Sequence, residues 1–211
     1  MKTLLTIITL LFVTLTINAQ TIDTLITTPI YKSYFSYSVR EPLMVTYKLY
    51  KAGGTNSRAG MVFKTGGLRQ SATPDDYAKS GYDIGHMATA ADFAYNATAQ
   101  ESTFRFYNAL PQLPRLNRGV WKKLETDVRQ QSQSDSLFVI CGGYQFDTKL
   151  NNRIGVPKYC FKIIKSLSKN TIKCYIFPND NSNTSNEISL SDLLKNIPSL
   201  KSKITEILNR P

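Results

Sequence analysis

The spacing of apolar positions changes several times along the chain, and each change marks an element. Thr3 to Ile17 is a charge-free apolar run interspersed with threonine, opened by Lys2 and closed by Ile17-Asn18-Ala19. That is the layout of a secretory signal with a small residue before the cut. Residues 1–19 are therefore read as a cleavable signal; the competing reading, a membrane anchor, needs about 20 apolar residues. Leu43 to Tyr50 alternates in the manner of a half-buried strand, within an aromatic-rich stretch from Tyr31. From Lys51 to Lys79 the periodicity disappears, and Gly53-Gly54, Gly66-Gly67 and Pro74-Asp75-Asp76 mark a long surface connection, a type of loop that tends to be functional or mobile. Arg115 to Arg129 places Leu116, Val120, Leu124 and Val128 on one helical face, with Trp121 bordering it as a core residue. Ser136–Cys141 reads as a short buried strand ended by Gly142-Gly143. Tyr159–Ile164 and Thr171–Phe177 read as neighbouring strands, and 178–187 as a loop. Two short amphipathic helices follow, Ser189–Ile197 and Ser199–Leu208, split by Pro198, with Asp192 at capping-box spacing from Ser189.

Strands and helices mix without regular βαβ alternation, which predicts an α+β fold: a largely antiparallel sheet with packed helices. No repeat, low-complexity block or linker divides residues 20–211, so one domain is expected there. Beyond the leader no stretch is long and apolar enough to span a bilayer, which leaves no stable membrane anchor and a secreted or periplasmic product cut after Ala19. A net charge of +11 favours polyanionic partners, nucleic acid or an anionic membrane surface, although solubility alone explains a surplus of this size. Cys141, Cys160 and Cys174 match no zinc spacing. An oxidising compartment permits one disulfide, with Cys160 near Cys174 on adjacent strands; three buried free thiols are the alternative.

His86 is the only histidine. A neutral imidazole accepts a proton from water near neutral pH, though a solitary histidine is more often a satisfied structural residue. Its neighbours point to chemistry: Asp83 to orient a ring or a cation, Gly85 to let substrate or metal approach the backbone, and small residues from Met87 to Ala91. On the helix, Asn117, Glu125 and Arg129 fall beside the apolar stripe. Asn117 and Glu125 stand roughly 12 Å apart along an ideal axis. One magnesium ion bound through the Asn117 carbonyl oxygen, with some of its waters held by Glu125, fits that distance and the ion's reluctance to shed water. The blander alternatives are an exposed i, i+4 ion pair between Glu125 and Arg129, and a capping role for Asn117.

Taken in order, Thr28–Ser36, Tyr77–Met87, Asp92, Phe106–Gln112, Asn117–Glu125 with Arg129, and Val156–Tyr159 resemble the DNA/RNA non-specific endonuclease family, the ββα-metal nucleases. The resemblance covers most of the chain after the leader. It implies a ββα-metal motif and a secreted, Mg2+-dependent endonuclease, Mn2+ being another usable ion, that cuts DNA and RNA with little sequence specificity. It further implies His86 as general base, Asn117 as the protein ligand of the metal, Glu125 as the holder of metal-bound water and Arg129 as a phosphate-stabilising cation. Asn108 and Gln112 match a polar pair near the metal, counted here as catalytic and substrate-binding respectively, and Asp83 matches the motif's first acid, also counted as substrate-binding. Arg58 corresponds to an upstream phosphate-binding arginine, and Arg118 is a further substrate-side cation. Two positions depart from the family pattern. Ile84 stands where the motif has arginine, and Thr89 where it often has proline. Loss of a charge-assisted contact at Ile84 is expected to cost about 1.5–3 kcal/mol unless another arginine reaches in, which makes a weakened or inactive nucleic-acid-binding protein of the same fold the alternative.

Overall fold

The computed structural model describes residues 20–209, so the leader expected at 1–19 lies outside the described residues. Along the chain come β1 (Thr24–Thr27), β2 (Tyr31–Ser36), β3 (Glu41–Leu49), α1 (Pro74–Tyr77), β4 (Asp83–His86), α2 (Ala97–Ser102), β5 (Ala109–Gln112), α3 (Pro114–Leu116) and α4 (Lys122–Gln131). Then follow β6 (Leu137–Tyr144), β7 (Thr148–Leu150), β8 (Ile154–Val156), β9 (Tyr159–Ser166), β10 (Thr171–Pro178), β11 (Asn186–Ile188), α5 (Leu190–Asn196) and α6 (Pro198–Leu208). One antiparallel sheet of seven strands, ordered β1-β2-β3-β6-β9-β10-β11, forms the frame. The fold is mixed α+β, and the antiparallel sheet is the one the pattern predicts.

The sheet has a covered face on each side, and this corrects the half-buried expectation for β3. Every residue of β3 but Lys48 is buried. On one face Tyr47 meets Phe93 with ring centroids 6.1 Å apart, and the Cys141 thiol donates to the Met87 carbonyl at 3.3 Å. On the other face lie the C-terminal helices, where Lys165 Nζ donates to the Leu208 carbonyl at 2.8 Å. Ser189 caps α5 as its spacing predicts, accepting from Asp192 N at 3.1 Å. Pro198 opens α6 as a first-turn residue, where its missing N–H costs nothing.

Two further expectations change. Gly142-Gly143 does not end β6, which runs on to Tyr144. A Cβ at Gly142 would stand 2.1 Å from the Leu43 carbonyl oxygen, so glycine is there to admit a neighbouring strand. Cys160 and Cys174 are not cross-strand partners: Cys160 faces Phe177 and Cys174 faces Ile163, which puts the two thiols on opposite sides of the sheet. All three cysteines are free and buried.

The face that carries Cys141 is covered by a smaller unit. β4 and β5 pair antiparallel, with Asp83 opposite Gln112 and His86 opposite Ala109. The helical segment from Pro114 follows β5 directly, giving the order β, β, α over 83–131. The loop from Lys51, which has no strand, is laced to this unit by Gly53 N to the Asp92 carbonyl (2.9 Å), Asn56 N to the Ala94 carbonyl (3.0 Å) and a single bridge between Lys64 and Arg105. That lacing carries Arg58 and Phe63 to the same place as His86.

Candidate active site

The helix expected over Arg115–Arg129 is interrupted. Between α3 and α4 the turn Asn117–Trp121 is π-helical, with Gly119 at φ −100°, ψ −117°. The wider turn inserts a residue and rotates everything after it. Leu116, Trp121 and Val128 become the fully buried positions, while Val120 and Leu124 are only partly covered. The kink is pinned from outside: Val120 N donates to Asn183 Oδ1 at 2.9 Å, and a Cβ on Gly119 would stand 2.0 Å from that oxygen.

The kink presents Asn117 and Arg118 to β4. Asn117 Nδ2 donates to Asp83 Oδ2 at 2.9 Å, so the side chain is tied to Asp83 and its Oδ1 is left as the acceptor. Arg118 grips the same carboxylate with two bonds, Nε to Oδ2 at 2.8 Å and a terminal nitrogen to Oδ1 at 2.6 Å. Burial pushes the Asp83 carboxyl up, but Arg118 and Asn117 outweigh it and hold it below the usual carboxylate range. Asp83 thus orients Asn117 instead of meeting substrate. Arg118, counted as substrate-binding from sequence, is committed to Asp83.

Further along the helix, Glu125 and Arg129 do not form the exposed i, i+4 pair, because each takes a partner from another element. Arg129 Nε donates to Asp92 Oδ1 at 2.8 Å, and Asp92 is 1% exposed. Burial drives the Asp92 carboxyl upward against the pull of Arg129. Glu125 Oε1 lies 3.8 Å from Nζ of Lys162, with side-chain exposures of 11% and 1%, and that oxygen makes no hydrogen bond. Burial raises the Glu125 carboxyl, opposed by Lys162 and then Arg129.

His86 sits in different surroundings. Its ring is 4.7 Å from Phe63, tilted by 48°, and 4.7 Å from Phe104, edge-on at 87°. Nε2 is buried and has no hydrogen-bond partner. Burial first, and then the charge of Arg58, lower its pKa to about 3, so the imidazole is neutral throughout the physiological range.

A cavity of about 620 Å³ joins these groups; among its lining residues are Arg58, His86, Asn117, Glu125 and Arg129. A larger cavity of about 750 Å³ opens around Tyr31, Lys48 and Phe138 but has no histidine or carboxylate in its wall. Of the residues singled out from sequence, Asn108 and Gln112 are absent from the catalytic cleft. Asn108 is fully buried, accepting from Ala88 N at 2.9 Å and donating to the Ala88 and Thr103 carbonyls at 2.9 and 2.8 Å. It has no atom left for substrate and fixes the chain just past His86. Gln112 is buried beneath β4, donating to Cys160 Sγ at 3.4 Å. It also explains Gly85: a Cβ there would stand 2.0 Å from Gln112 Oε1, so the glycine admits Gln112 and not a ligand.

Sequence reading missed Lys162, since a lysine within an apolar strand looks like an outward position. It missed the partnership of Asp92 with Arg129, and it missed Phe63, whose position in an aperiodic loop carries no signal. Among the described residues no group of three or more His, Cys, Asp or Glu could hold a metal ion. What the cleft offers is sparse and hard: the free Asn117 Oδ1 and the Glu125 carboxylate. Such oxygens suit a small divalent ion that keeps most of its water.

Comparison with known proteins agrees with this layout. The family model described as DNA/RNA non-specific endonuclease matches residues 12–206. Human mitochondrial endonuclease G is 30% identical over 125 residues, covering 51% of this chain and 42% of its own. A nuclease of Nostoc sp. is 34% identical over 111 residues, covering 52% and 40%. The matches thus span about two fifths of the length of these curated relatives. In structure, a chain of the EndoG/EndoGI complex, solved to explain EndoG inhibition, superposes with a TM-score of 0.73 over 82% of this chain and 83% of that one, at 22% identity, a likeness of fold. With a match that takes in nearly the whole chain, and with β4, β5 and the kinked helix framing the cleft, this protein belongs to the DNA/RNA non-specific endonuclease family.

Proposed function

We propose that the chain is a secreted, Mg2+-dependent endonuclease that hydrolyses phosphodiester bonds of DNA and RNA with little sequence preference, Mn2+ also serving. The observation that carries this reading is a neutral His86 in one cleft with the free amide oxygen of Asn117 and the carboxylate of Glu125. Export is supported by the signal-like residues 1–19.

In this reading the neutral His86 imidazole takes a proton from a water molecule whose oxygen attacks phosphorus, and the ester P–O bond opposite breaks. A base with a pKa of about 3 is ready but weak. An arriving phosphodiester anion offsets Arg58 and raises His86 toward the working range. Arg129, steered by Asp92, and Arg58 place positive charge beside the phosphoryl oxygens. Asn117 Oδ1 would hold the divalent ion, and Glu125 would hold its waters. A bound ion supplies neutralisation of the charge that builds on the phosphate and the leaving oxygen. Surface cations contact the phosphate backbone and not the bases, which accounts for the lack of sequence preference.

Ile84 bears on the alternative of a protein that binds without cutting. Its side chain rests against the buried cluster of Ala72, Tyr77, Phe106 and Ile154, and Arg118 from the helix supplies Asp83 with the guanidinium that position 84 lacks. This favours the enzyme. Purified protein should nick plasmid DNA and degrade RNA with Mg2+, and stop with EDTA or in His86→Ala. Salt-sensitive binding of DNA without cleavage under any divalent ion would replace the enzyme with the binding protein.

A further inference from the structure

We infer that Lys162 is a positioning residue for Glu125, supplying a buried counter-charge to one side of the carboxylate without a direct hydrogen bond, so that the carboxylate stays placed to hold the water of a bound divalent ion. This rests on the metal-nuclease reading above. Across the sheet, Val45, Cys141, Lys162 and Tyr175 are register partners and share the face beneath the cleft. The row ends at the exposed Glu187 opposite Tyr175, so Lys162 is its buried charged member. Its stem lies across the site face, and Nζ stands 4.1 Å from the centre of the Trp121 ring, within the range of a cation–π contact. At 1% exposure the ammonium cannot reach bulk water, and an apolar side chain would fill the same space without the desolvation penalty.

The separation of the pair is informative. The carboxylates of Asp83 and Asp92 are bound directly by arginines at 2.6–2.8 Å, at both oxygens of Asp83 and at Oδ1 of Asp92. Lys162 stays 3.8 Å from Glu125 Oε1, beyond hydrogen-bonding distance, with the Trp121 face holding it there. Charge is matched at the buried Oε1 without a direct lysine hydrogen bond. A lysine drawn in to bond directly would block the oxygen, and an apolar residue would leave the carboxylate as an uncompensated buried charge with reason to swing away.

The test is a cycle over Lys162→Met, Lys162→Arg, Glu125→Gln and Glu125→Gln/Lys162→Met, read by Mn2+ affinity in calorimetry, with unfolding midpoints as a second readout. Supporting residues of metal sites typically contribute about 10- to 100-fold in affinity. Lys162→Met should lose that much, Lys162→Arg should retain most of it, and Lys162→Met should add nothing in the Glu125→Gln background. A folded Lys162→Met with wild-type Mn2+ affinity, or an equal loss in both backgrounds, overturns the assignment. If Lys162→Met does not fold, recovery of folding in the double variant supports the pairing, and failure to recover overturns it. A wild-type chain that neither binds Mn2+ nor cuts DNA would defeat the nuclease reading, while the unfolding midpoints would still report on the pair.

Discussion

The cleft brings together two regions that handle charge in opposite ways. Around His86 the walls are rings: Phe63 and Phe104 exclude water, Nε2 has no partner, and the imidazole is neutral because its charged form is too poorly solvated. Around the kinked helix every carboxylate has a cation, Arg118 for Asp83, Arg129 for Asp92 and Lys162 for Glu125. On the proposed mechanism a base has to be available without its proton, and apolar burial favours that. The acids there have to keep their charge, and their counter-charges hold Asp83 below the usual carboxylate range while opposing the upward push of burial on Asp92 and Glu125. The difference teaches that within a single site burial can serve a base and threaten an acid, and that each acid here is supplied with its own counter-charge.

The most severe test removes the neutral partner. His86→Ala should lower the single-turnover rate of plasmid nicking by about 10²–10⁴-fold with the fold intact by circular dichroism; an unchanged rate would remove His86 from the mechanism. Next comes the ionic side. Arg118→Ala leaves Asp83 and the Asn117 amide without their brace, and the Mn2+ concentration for half-maximal rate should rise by about tenfold, with no loss of DNA affinity. Weaker DNA binding with unchanged metal dependence would return Arg118 to the substrate. Phe63→Ala then probes the apolar wall. As the only histidine, His86 gives an unambiguous imidazole resonance, whose titration midpoint should move from about 3 toward the ordinary value near 6.5.

The same substitution tests stability. Since the folded His86 takes up its proton only near pH 3 and the unfolded chain does so near 6.5, the unfolded state holds more protons between those values. The stability that this residue contributes is present above pH 6.5 and is lost as the pH falls toward 3. Phe63→Ala should narrow that window, seen in urea midpoints measured across pH. The smallest effect is expected from Ile84→Arg. Asp83 already has its guanidinium, so the rate should change by less than about threefold, roughly 0.7 kcal/mol, while the thermal midpoint falls because a charge enters the cluster around Phe106. A large gain in rate would show that the missing motif arginine had been limiting.

Much of this was legible in the sequence for a plain reason: periodicity reports burial. The antiparallel framework, the cap at Ser189 and the buried Trp121 all follow from spacing and residue type. The cleft was legible as far as His86, Asn117, Glu125 and Arg129, which do line one cavity. What spacing could not reveal is which partner a charge selects. Glu125 and Arg129 stand four apart on a helix, yet their counter-ions come from β9 and from a 3-10 turn at Ala90–Phe93. Polar residues also conceal their direction: Asn108 and Gln112 look like cleft residues and are instead internal braces, since an amide satisfies backbone and sulfur as readily as it meets a substrate. The π-helical turn was invisible because the residue that braces it, Asn183, lies more than sixty residues away in another loop.

The three unpaired cysteines settle a practical matter for handling the protein. Burial raises the thiols of Cys141 and Cys160 to about 12 and that of Cys174 to about 11, so almost no thiolate exists at neutral pH to attack a disulfide or an oxidant. That shelter belongs to the folded chain: once unfolded, the three thiols are exposed and ionise as ordinary cysteines, so refolding should give a higher yield with reductant present than without it.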